Sequence, residues 1–294
     1  MDLAAVKTRL DLYEKLMRLD KPIGILLLLW PTLWALWMAT AGRPDWAVAW
    51  IFILGTVLMR SAGCVINDYA DRDFDPHVKR TKDRPLAAGT VSVREAFALF
   101  GVLVGCSFLL VLALGWHVVP WSLGALFLAA SYPFTKRFLA VPQAYLGVAF
   151  GFGIPMSYVA VHGQTFPVTW VLLTANVFWA VAYDTEYAMV DRDDDIRIGI
   201  KTSAITFGRH DVAIVMLCYA ITLALLGWAG HMLAYGAPYY AGLAVAAAIA
   251  GYHYLLIRGR ERMRCFKAFL HNNWLGAAVF AGIVADRSLG SLLH

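Results

Sequence analysis

Carboxylates gathered in two short segments are the part of this sequence best suited to chemistry. Of its 20 acidic residues, 11 lie in these segments. The first is N-D-Y-A-D-R-D-F-D at residues 67–75, with Asp83 downstream, and the second is D-T-E-Y-A-M-V-D-R-D-D-D at residues 184–195. Each follows an apolar stretch of membrane-spanning length. Placing charged carboxylates near a membrane costs free energy, so they indicate a functional site. The alternative is that these acids are solvated at the rim of a membrane protein.

Helical spacing divides the acids of each segment into two sets. At about 100° per residue, Asp68, Asp71 and Asp75 share one face of a helix, while Asp73 points to the opposite side. The second segment divides in the same way if it is helical. Its shared face holds Asp184, Asp191 and Asp195, and its opposite face holds Glu186 and Asp193.

The two segments also match in spacing. Both contain D-x-x-x-D, at Asp71/Asp75 and Asp191/Asp195, and the pairs are 120 residues apart. Four intervening crossings would bring both pairs to the same membrane face, as in an internal duplication with parallel halves. Two acidic clusters facing one cavity repel each other unless cations lie between them. Oxygen ligands favour Mg²⁺ or Ca²⁺, and Mg²⁺ takes carboxylates together with substrate phosphates, so we predict diphosphate binding through Mg²⁺.

Basic residues near the acids would complete such a site. Arg60 lies inside an apolar stretch, seven residues before Asn67 and on the same helix face. It is either the structural salt-bridge partner of a cluster carboxylate or a clamp for an anionic substrate group. Tyr132 and Lys136 are one helical turn apart and can face the same cavity. Other Lys and Arg residues after the first segment need no function beyond setting membrane orientation.

The remaining sequence is suited to holding these residues in a bilayer. Of the 294 residues, 60% are hydrophobic and 15% are charged, against roughly 25% charged in soluble domains. This composition excludes a soluble protein and predicts an all-α polytopic membrane protein forming a single domain over residues 1–294. A span needs about 20 apolar residues. The nine predicted spans are residues 23–41, 46–66, 96–116, 118–134, 140–161, 168–190, 212–234, 239–257 and 270–285.

Charge in the connecting segments predicts orientation. Of the 25 Lys and Arg residues, 22 lie in the N-terminal segment or in loops after even-numbered spans. Because positive charge is retained in the cytoplasm, we expect a cytoplasmic N-terminus and a C-terminus on the far side. Membrane-flanking basic residues also account for the net charge of +5, so it does not indicate nucleic-acid binding.

Two further features of the chain argue against other classes. Residues 1–21 are polar and contain no small-residue cleavage site, so the first span is expected to be retained rather than removed as a signal peptide. The cysteines are widely spaced without a CxxC pair, which predicts neither a disulfide framework nor a zinc site. They are Cys64, Cys106, Cys218 and Cys265.

These motifs together resemble the UbiA superfamily of intramembrane prenyltransferases. The resemblance runs from R-L-D-K-P-I-G at residues 18–24 to C-F-K-A-F-L-H-N-N at residues 265–273. It includes N-D-x-x-D-x-x-x-D from Asn67, R-P-L-x-x-G from Arg84 and Y-x-x-x-K from Tyr132. The second acidic motif begins at residue 183, and G-I-K-T follows at residues 199–202. Segments W-P-T-L-W-A-L-W at 30–37 and A-G-C-V-I-N-D-Y-A-D at 62–71 resemble the bacterial branch acting on 4-hydroxybenzoate.

The resemblance implies a fold, a reaction and a set of residue roles. Nine helices are expected around a central cavity open to lipid, in the inner membrane of a bacterium with a periplasmic C-terminus. The implied reaction joins a polyprenyl diphosphate to the ring carbon ortho to the hydroxyl of 4-hydroxybenzoate, an early step of ubiquinone biosynthesis. Mg²⁺ is expected on Asp71, Asp75, Asp191 and Asp195, with Asp191 alternatively orienting or deprotonating the acceptor. Lys136 is expected to hold diphosphate and Arg60 the benzoate carboxylate; the other expected binding residues are Asn67, Asp68, Arg84, Tyr132, Asp184, Tyr187 and Lys201.

Two rival interpretations remain at this point. One is an enzyme of the same fold with another acceptor, such as dihydroxynaphthoate, a porphyrin or chlorophyllide. The other is a secondary transporter with an ion site at the membrane midplane. The acids lie at helix ends and no span is obviously interrupted at its middle, which argues against the transporter. The sequence does not indicate the isoprenoid length, the oligomeric state or protein partners.

Overall fold

The computed structural model describes residues 3–77 and 81–290, which form a bundle of α-helices. Short 3₁₀ turns at Asp75–His77, Trp116–Val118 and Gly208–His210 connect some of them. The helices are α1 (Leu3–Met17), α2 (Ile23–Ala39), α3 (Trp46–Asp71), α4 (Val93–Leu114), α5 (Val119–Thr135), α6 (Pro142–Gly151), α7 (Gly153–His162), α8 (Pro167–Ile198), α9 (Ser203–Phe207), α10 (Asp211–Met232), α11 (Ala237–Ile257) and α12 (Arg262–Gly290).

Local sequence signals explain where several helices begin. The Asp45 side chain accepts a hydrogen bond from the Ala47 N–H, 2.7 Å away, and so caps α3. Ser92 and Glu95 form a reciprocal capping box at the start of α4. Such caps satisfy N–H groups that have no partner within the first helical turn. Pro167 occupies the first turn of α8, where a missing N–H has no cost.

Membrane-spanning character is widespread in the described part of the chain. Seven helical segments there are long and apolar enough to cross a membrane: Trp46–Asp71, Val93–Leu114, Trp116–Thr135, Pro142–His162, Ser203–Met232, Ala237–Ile257 and Arg262–Leu289. The apolar helix α2 has 17 residues and is slightly shorter than these seven segments. Every predicted span overlaps a helix, and the chain is a multi-pass membrane protein. The number nine stays a prediction.

One predicted span, residues 140–161, is interrupted in a way the sequence analysis did not anticipate. It consists of α6 and α7, which are separated at Phe152. Pro155 has no N–H to donate to the Gly151 carbonyl four residues earlier, so the regular hydrogen-bond pattern fails there. No acidic residue lies in either helix, so the break does not create the midplane ion site of a transporter.

The best-packed part of the bundle surrounds α8. This helix contacts α6, α10 and α12, and α12 also packs against α2. Trp34 and Trp179 are fully buried between these helices with ring centroids 5.1 Å apart. A smaller apolar cluster joins α1 to α3 and α4 through Leu16. Residues of α8 and residues of α3, α4 and α5 all line one interior space.

Candidate active site

A single cavity of about 1030 Å³ contains most of the predicted site. Apolar residues of α3, α4 and α5 line one part, and the acidic segments line another. All but two of the predicted site residues lie on its wall. Those present are Arg60, Asn67, Asp71, Asp75, Arg84, Tyr132, Lys136, Asp184, Tyr187, Asp191 and Asp195.

The first acidic segment is not one continuous helix. The α3 helix ends at Asp71, and Asp75 lies in a separate 3₁₀ turn. Pro76 causes the change, because it cannot donate a helical hydrogen bond and disfavours helical backbone at the residue before it. The helical argument for Asp75 was therefore wrong in its premise, although Asp75 still lines the cavity. Asp73 is 72% exposed, in agreement with its predicted outward direction.

Two arginines pair with the acids at the end of α3 and in this turn. Asp68 is 1% exposed and pairs with Arg18 and with Arg84, whose Nη1 lies 3.2 Å from Asp68 Oδ1. The same Arg84 nitrogen is 2.8 Å from Asp75 Oδ2. Asp68 does not line the cavity, so its predicted contact with substrate is replaced by a contact with these arginines. Arg18, which reaches in from the α1–α2 connection with a left-handed φ of 55°, was missed as a site residue.

Burial and ion pairing act in opposite directions on these charges. Burial raises the pKa of the Asp75 carboxyl above its ordinary value, against the lowering effect of Arg84. Burial tends to lower the pKa of the Arg18 guanidinium, but Asp68 and other neighbours reverse this and raise it. The guanidinium groups of Arg18 and Arg84 lie beside Asp68 and Asp75 and offset much of the negative charge that this segment brings to the cavity.

Asp71 faces the cavity beside Lys136. The Lys136 Nζ lies 3.1 Å from Asp71 Oδ2, and Asn67 Nδ2 donates to the same oxygen from 3.1 Å. Lys136 follows the last residue of α5, with its Nζ 5.8 Å from the centre of the Tyr132 ring. The Y-x-x-x-K and N-D-x-x-D elements, 65 residues apart between Lys136 and Asp71, thus meet directly.

Arg60 is held differently from the other cavity arginines. Its Nη1 donates to Cys64 Sγ, and its guanidinium lies 5.8 Å from the Phe150 ring centre. Within the described ranges, no carboxylate comes within ion-pair distance of Arg60, and its buried Nε has no hydrogen-bond partner. The Tyr183 hydroxyl, also on the cavity wall, likewise lacks a partner there. The structural salt bridge considered as the alternative for Arg60 is therefore not formed among these residues.

The second acidic segment belongs to one continuous helix, α8. Asp184, Tyr187, Asp191 and Asp195 all line the cavity, in agreement with their predicted common face. Asp191 is only 9% exposed, although it belongs to the charged end of the helix. Tyr187 stacks on Phe269 of α12 with ring centroids 4.5 Å apart. The carboxylates of this segment thus line the same cavity as Asp71, from a different helix.

Glu186 departs from expectation because it faces protein rather than solvent. It points away from the cavity as predicted, yet it is fully buried among α10, α11 and α12. The Tyr219 hydroxyl lies 2.9 Å from Oε1, and Asn272 Nδ2 donates to Oε2 from 2.8 Å. His253 Nδ1 is 3.0 Å from the same hydroxyl. Sequence spacing could not reveal this network, because its members come from four helices.

Lys201 is the other predicted residue outside the cavity. Its side chain is exposed, and its Nζ donates to the Phe138 carbonyl from 3.4 Å. Its backbone N–H donates to the Lys136 carbonyl from 3.2 Å. Lys201 therefore contacts the segment that follows α5, near Lys136, and does not reach the cavity wall itself.

The donor chemistry of the cavity fits Mg²⁺. Its acids are oxygen ligands, which hard divalent cations prefer, and they approach from two walls. Among the described residues, however, no three His, Cys, Asp or Glu side chains are close enough to hold one ion alone. This arrangement fits a metal that binds few carboxylates together with substrate phosphates, as Mg²⁺ characteristically does.

Comparison with known proteins supports the same conclusion. The chain is 72% identical over 287 residues to 4-hydroxybenzoate octaprenyltransferase of Dechloromonas aromatica, covering 97% of each chain. It is 70% identical to the protein of that name from an Azoarcus species, covering 96% of this chain and 98% of the relative.

Solved structures share the fold. A UbiA homologue from Aeropyrum pernix superposes with a TM-score of 0.79 at 25% identity, covering 89% of this chain and 97% of that one. A UbiA homologue from Archaeoglobus fulgidus bound to GPP and Mg²⁺ has a TM-score of 0.67 at 20% identity, covering 93% and 99%. The UbiA prenyltransferase family matches residues 28–275, most of the chain. The resemblance inferred from the motifs is thereby confirmed, and this chain belongs to the UbiA prenyltransferase family.

Proposed function

We propose that this protein transfers a polyprenyl group from polyprenyl diphosphate to the ring carbon ortho to the hydroxyl of 4-hydroxybenzoate. This is an early step of ubiquinone biosynthesis. The observation that carries the proposal is the pairing pattern of the cavity cations. Arg18, Arg84 and Lys136 are each paired with an aspartate of the first segment, whereas Arg60 has no such partner among the described residues. The site therefore offers separate positions for a diphosphate and for a carboxylate.

The diphosphate position lies between the two acidic segments. Asp71, Asp75, Asp191 and Asp195 would hold Mg²⁺, which when bound neutralises phosphate oxygens and stabilises the charge of the leaving group. Lys136 and Arg84 line the same region and would contact phosphate oxygens directly. Such fixed charges stabilise charge that develops in the transition state without reorganisation.

The acceptor position lies at Arg60. A benzoate carboxylate that leaves water needs a counter-charge, and a guanidinium can bind both of its oxygens through parallel hydrogen bonds. The unpartnered Arg60 Nε and Tyr183 hydroxyl supply polar groups at that wall. Arg60 and Asn67 lie on one helix, α3, so the acceptor and the diphosphate would be positioned by the same rigid element.

The reaction then requires ionisation and capture in a site shielded from water. The allylic C–O bond breaks with its electrons leaving on the diphosphate. The allylic carbon forms a bond to the ring carbon, and the ring proton passes to the released diphosphate as the base, which restores aromaticity. Apolar residues of α3, α4 and α5, including Phe52, Val104, Phe108 and Leu126, line the part of the cavity suited to the isoprenoid chain. They would exclude water from the reactive carbon.

Location and orientation are part of the proposal. We assign the protein to a bacterial inner membrane with the acidic segments on the cytoplasmic side, because basic residues concentrate in the corresponding connections. Single cysteines at Asp83 and Arg197, both exposed, should react with a reagent supplied from the cytoplasm. A cysteine at Gln164 should react only from the outside. Labelling of Asp83 and Arg197 positions from opposite sides would contradict the single-cavity arrangement.

Arg60→Lys tests the acceptor assignment. The variant keeps the charge but loses the guanidinium fork, so the KM for 4-hydroxybenzoate should rise about tenfold, as expected for loss of a hydrogen bond to a charged group. The KM for polyprenyl diphosphate should change little, because that substrate is held elsewhere. Steady-state kinetics on purified protein with radiolabelled prenyl diphosphate, with and without Mg²⁺, measures both values. An increase confined to the prenyl diphosphate KM would move Arg60 to the phosphate site.

A further inference from the structure

Gly24 lies directly against the Arg60 guanidinium. It is a buried residue in the first turn of α2, within the K-P-I-G sequence, and it lines the cavity. A methyl group built on its Cα would lie 2.5 Å from Arg60 Nη2 and 2.8 Å from Cζ, and closer still to Nε. Side-chain carbons do not approach other heavy atoms this closely. The guanidinium therefore occupies the space that any other residue at position 24 would fill.

The contact with Arg60, and not the backbone conformation, accounts for glycine at position 24. Gly42, Gly89 and four other glycines have the positive φ values that favour glycine, but Gly24 does not. In ordinary helical backbone, alanine stabilises a helix more than glycine does. Glycine at position 24 therefore makes α2 less stable than alanine would, and the local backbone does not explain its presence. The close approach of Arg60 supplies the reason.

We propose that Gly24 is a positioning residue, because its missing side chain sets the position from which Arg60 meets the acceptor carboxylate. This inference rests on the proposed function of Arg60. The guanidinium is the mobile end of a long side chain, so a methyl group at position 24 displaces it rather than the helix. Cys64 and Phe150 contact the guanidinium, and Arg60 and Phe150 both line the cavity, so the displaced guanidinium moves within that space. The displaced group then intrudes on the space of the acceptor ring.

Gly24→Ala is the direct test. The KM for 4-hydroxybenzoate should rise about tenfold, comparable to loss of a charged hydrogen bond, while the KM for prenyl diphosphate stays within about twofold. The thermal midpoint should not fall, because alanine favours the helix. Gly251→Ala is the matched control, since Gly251 lies in α11, away from the cavity, with nothing within 4 Å of an added methyl group. It should leave both KM values unchanged.

The double variant Gly24→Ala/Arg60→Lys keeps the test decisive if Gly24→Ala folds poorly. Lysine lacks the guanidinium that the methyl group displaces, so the double variant should be no worse for the acceptor than Arg60→Lys alone. Fully additive losses would show that Gly24 acts elsewhere and would overturn the inference. If Arg60→Lys raises the KM for 4-hydroxybenzoate but Gly24→Ala does not, the role of Gly24 is rejected while that of Arg60 stands. If Arg60→Lys also left that KM unchanged, the acceptor assignment itself would fail.

Discussion

The two acidic segments approach one cavity with the same D-x-x-x-D spacing but are held by different physical means. In the first, the chain leaves α3 after Asp71, and Arg84 links Asp75 of the following turn to Asp68 of α3, which also pairs with Arg18. In the second, the chain remains helical through Asp195, and Glu186 anchors α8 from behind through hydrogen bonds. Charge therefore positions the first segment, while a buried polar network positions the second.

The two segments also differ in how firmly the surrounding helices hold them. The turn after Asp71 is tied to α3 by Arg84, nine residues beyond Asp75, and the α3 partner Asp68 also pairs with Arg18 from a distant part of the sequence. The second segment is part of a long helix fixed by three neighbouring helices, so its carboxylates share one rigid body.

Loss of one carboxylate from each segment should give the largest effect. Asp71→Asn and Asp191→Asn each remove a negative charge with little change in volume, and each should lower kcat about 10²–10³-fold, as expected for a preorganised electrostatic group. Activity at increasing Mg²⁺ measures the loss, and an unchanged thermal midpoint shows that folding is intact. If added Mg²⁺ restores Asp71→Asn but not Asp191→Asn, Asp191 instead orients or deprotonates the acceptor.

Removing one anchor from each segment should give an intermediate effect on stability. Asp68→Asn leaves Arg18 without its buried counter-charge and leaves Arg84 paired with Asp75 alone, and it should cost about 3–5 kcal/mol of the free energy of unfolding. Glu186→Gln keeps the size of the side chain but replaces an acceptor of the Asn272 hydrogen bond with a donor, at about 1–3 kcal/mol. Thermal unfolding in detergent ranks the two variants.

Steady-state kinetics on Asp68→Asn and Glu186→Gln distinguishes the ion pairs of the first segment from the buried hydrogen-bond network of the second. Asp68→Asn should also raise the KM for prenyl diphosphate, because Arg84 lines the cavity. Glu186→Gln should not, since Glu186 faces away from it. A Glu186→Gln variant less stable than Asp68→Asn would reverse the proposed difference between the segments.

The sequence predicts the site best where the acidic residues lie in one continuous helix, so that their spacing determines which face they share. The cavity face of α8 followed from helical spacing, because Asp184, Asp191 and Asp195 lie in one uninterrupted helix. The same spacing failed at Asp75, since Pro76 ends the helix and ion pairs then position the turn. Contacts between distant residues, such as Asp68 with Arg18 or Glu186 with Asn272, leave no periodic signal in a single sequence.

The position of Gly24 also shows that a single sequence does not reveal which residues meet in the folded protein. Its first-turn location in α2 is evident from sequence, but the reason for glycine is a guanidinium from α3, 36 residues further along the chain. Similarly, the membrane-spanning character of residues 140–161 was evident, whereas the break at Phe152 depends on how Pro155 is accommodated. Composition therefore predicted the class of fold, and tertiary contacts determined the details of the site.

The smallest effect is expected for the outward-facing acids, one from each segment. Asp73 is 72% exposed, with Arg72 Nη2 3.5 Å away, and Asp193 is also exposed. Asp73→Asn and Asp193→Asn should each leave kcat, both KM values and the thermal midpoint nearly unchanged, because exposed ion pairs contribute only about 0–1 kcal/mol. Asp71→Asn, made and assayed beside them, provides the contrast. Equal damage from Asp73→Asn and Asp71→Asn would mean that total negative charge at the cavity mouth, and not the direction of each carboxylate, determines activity.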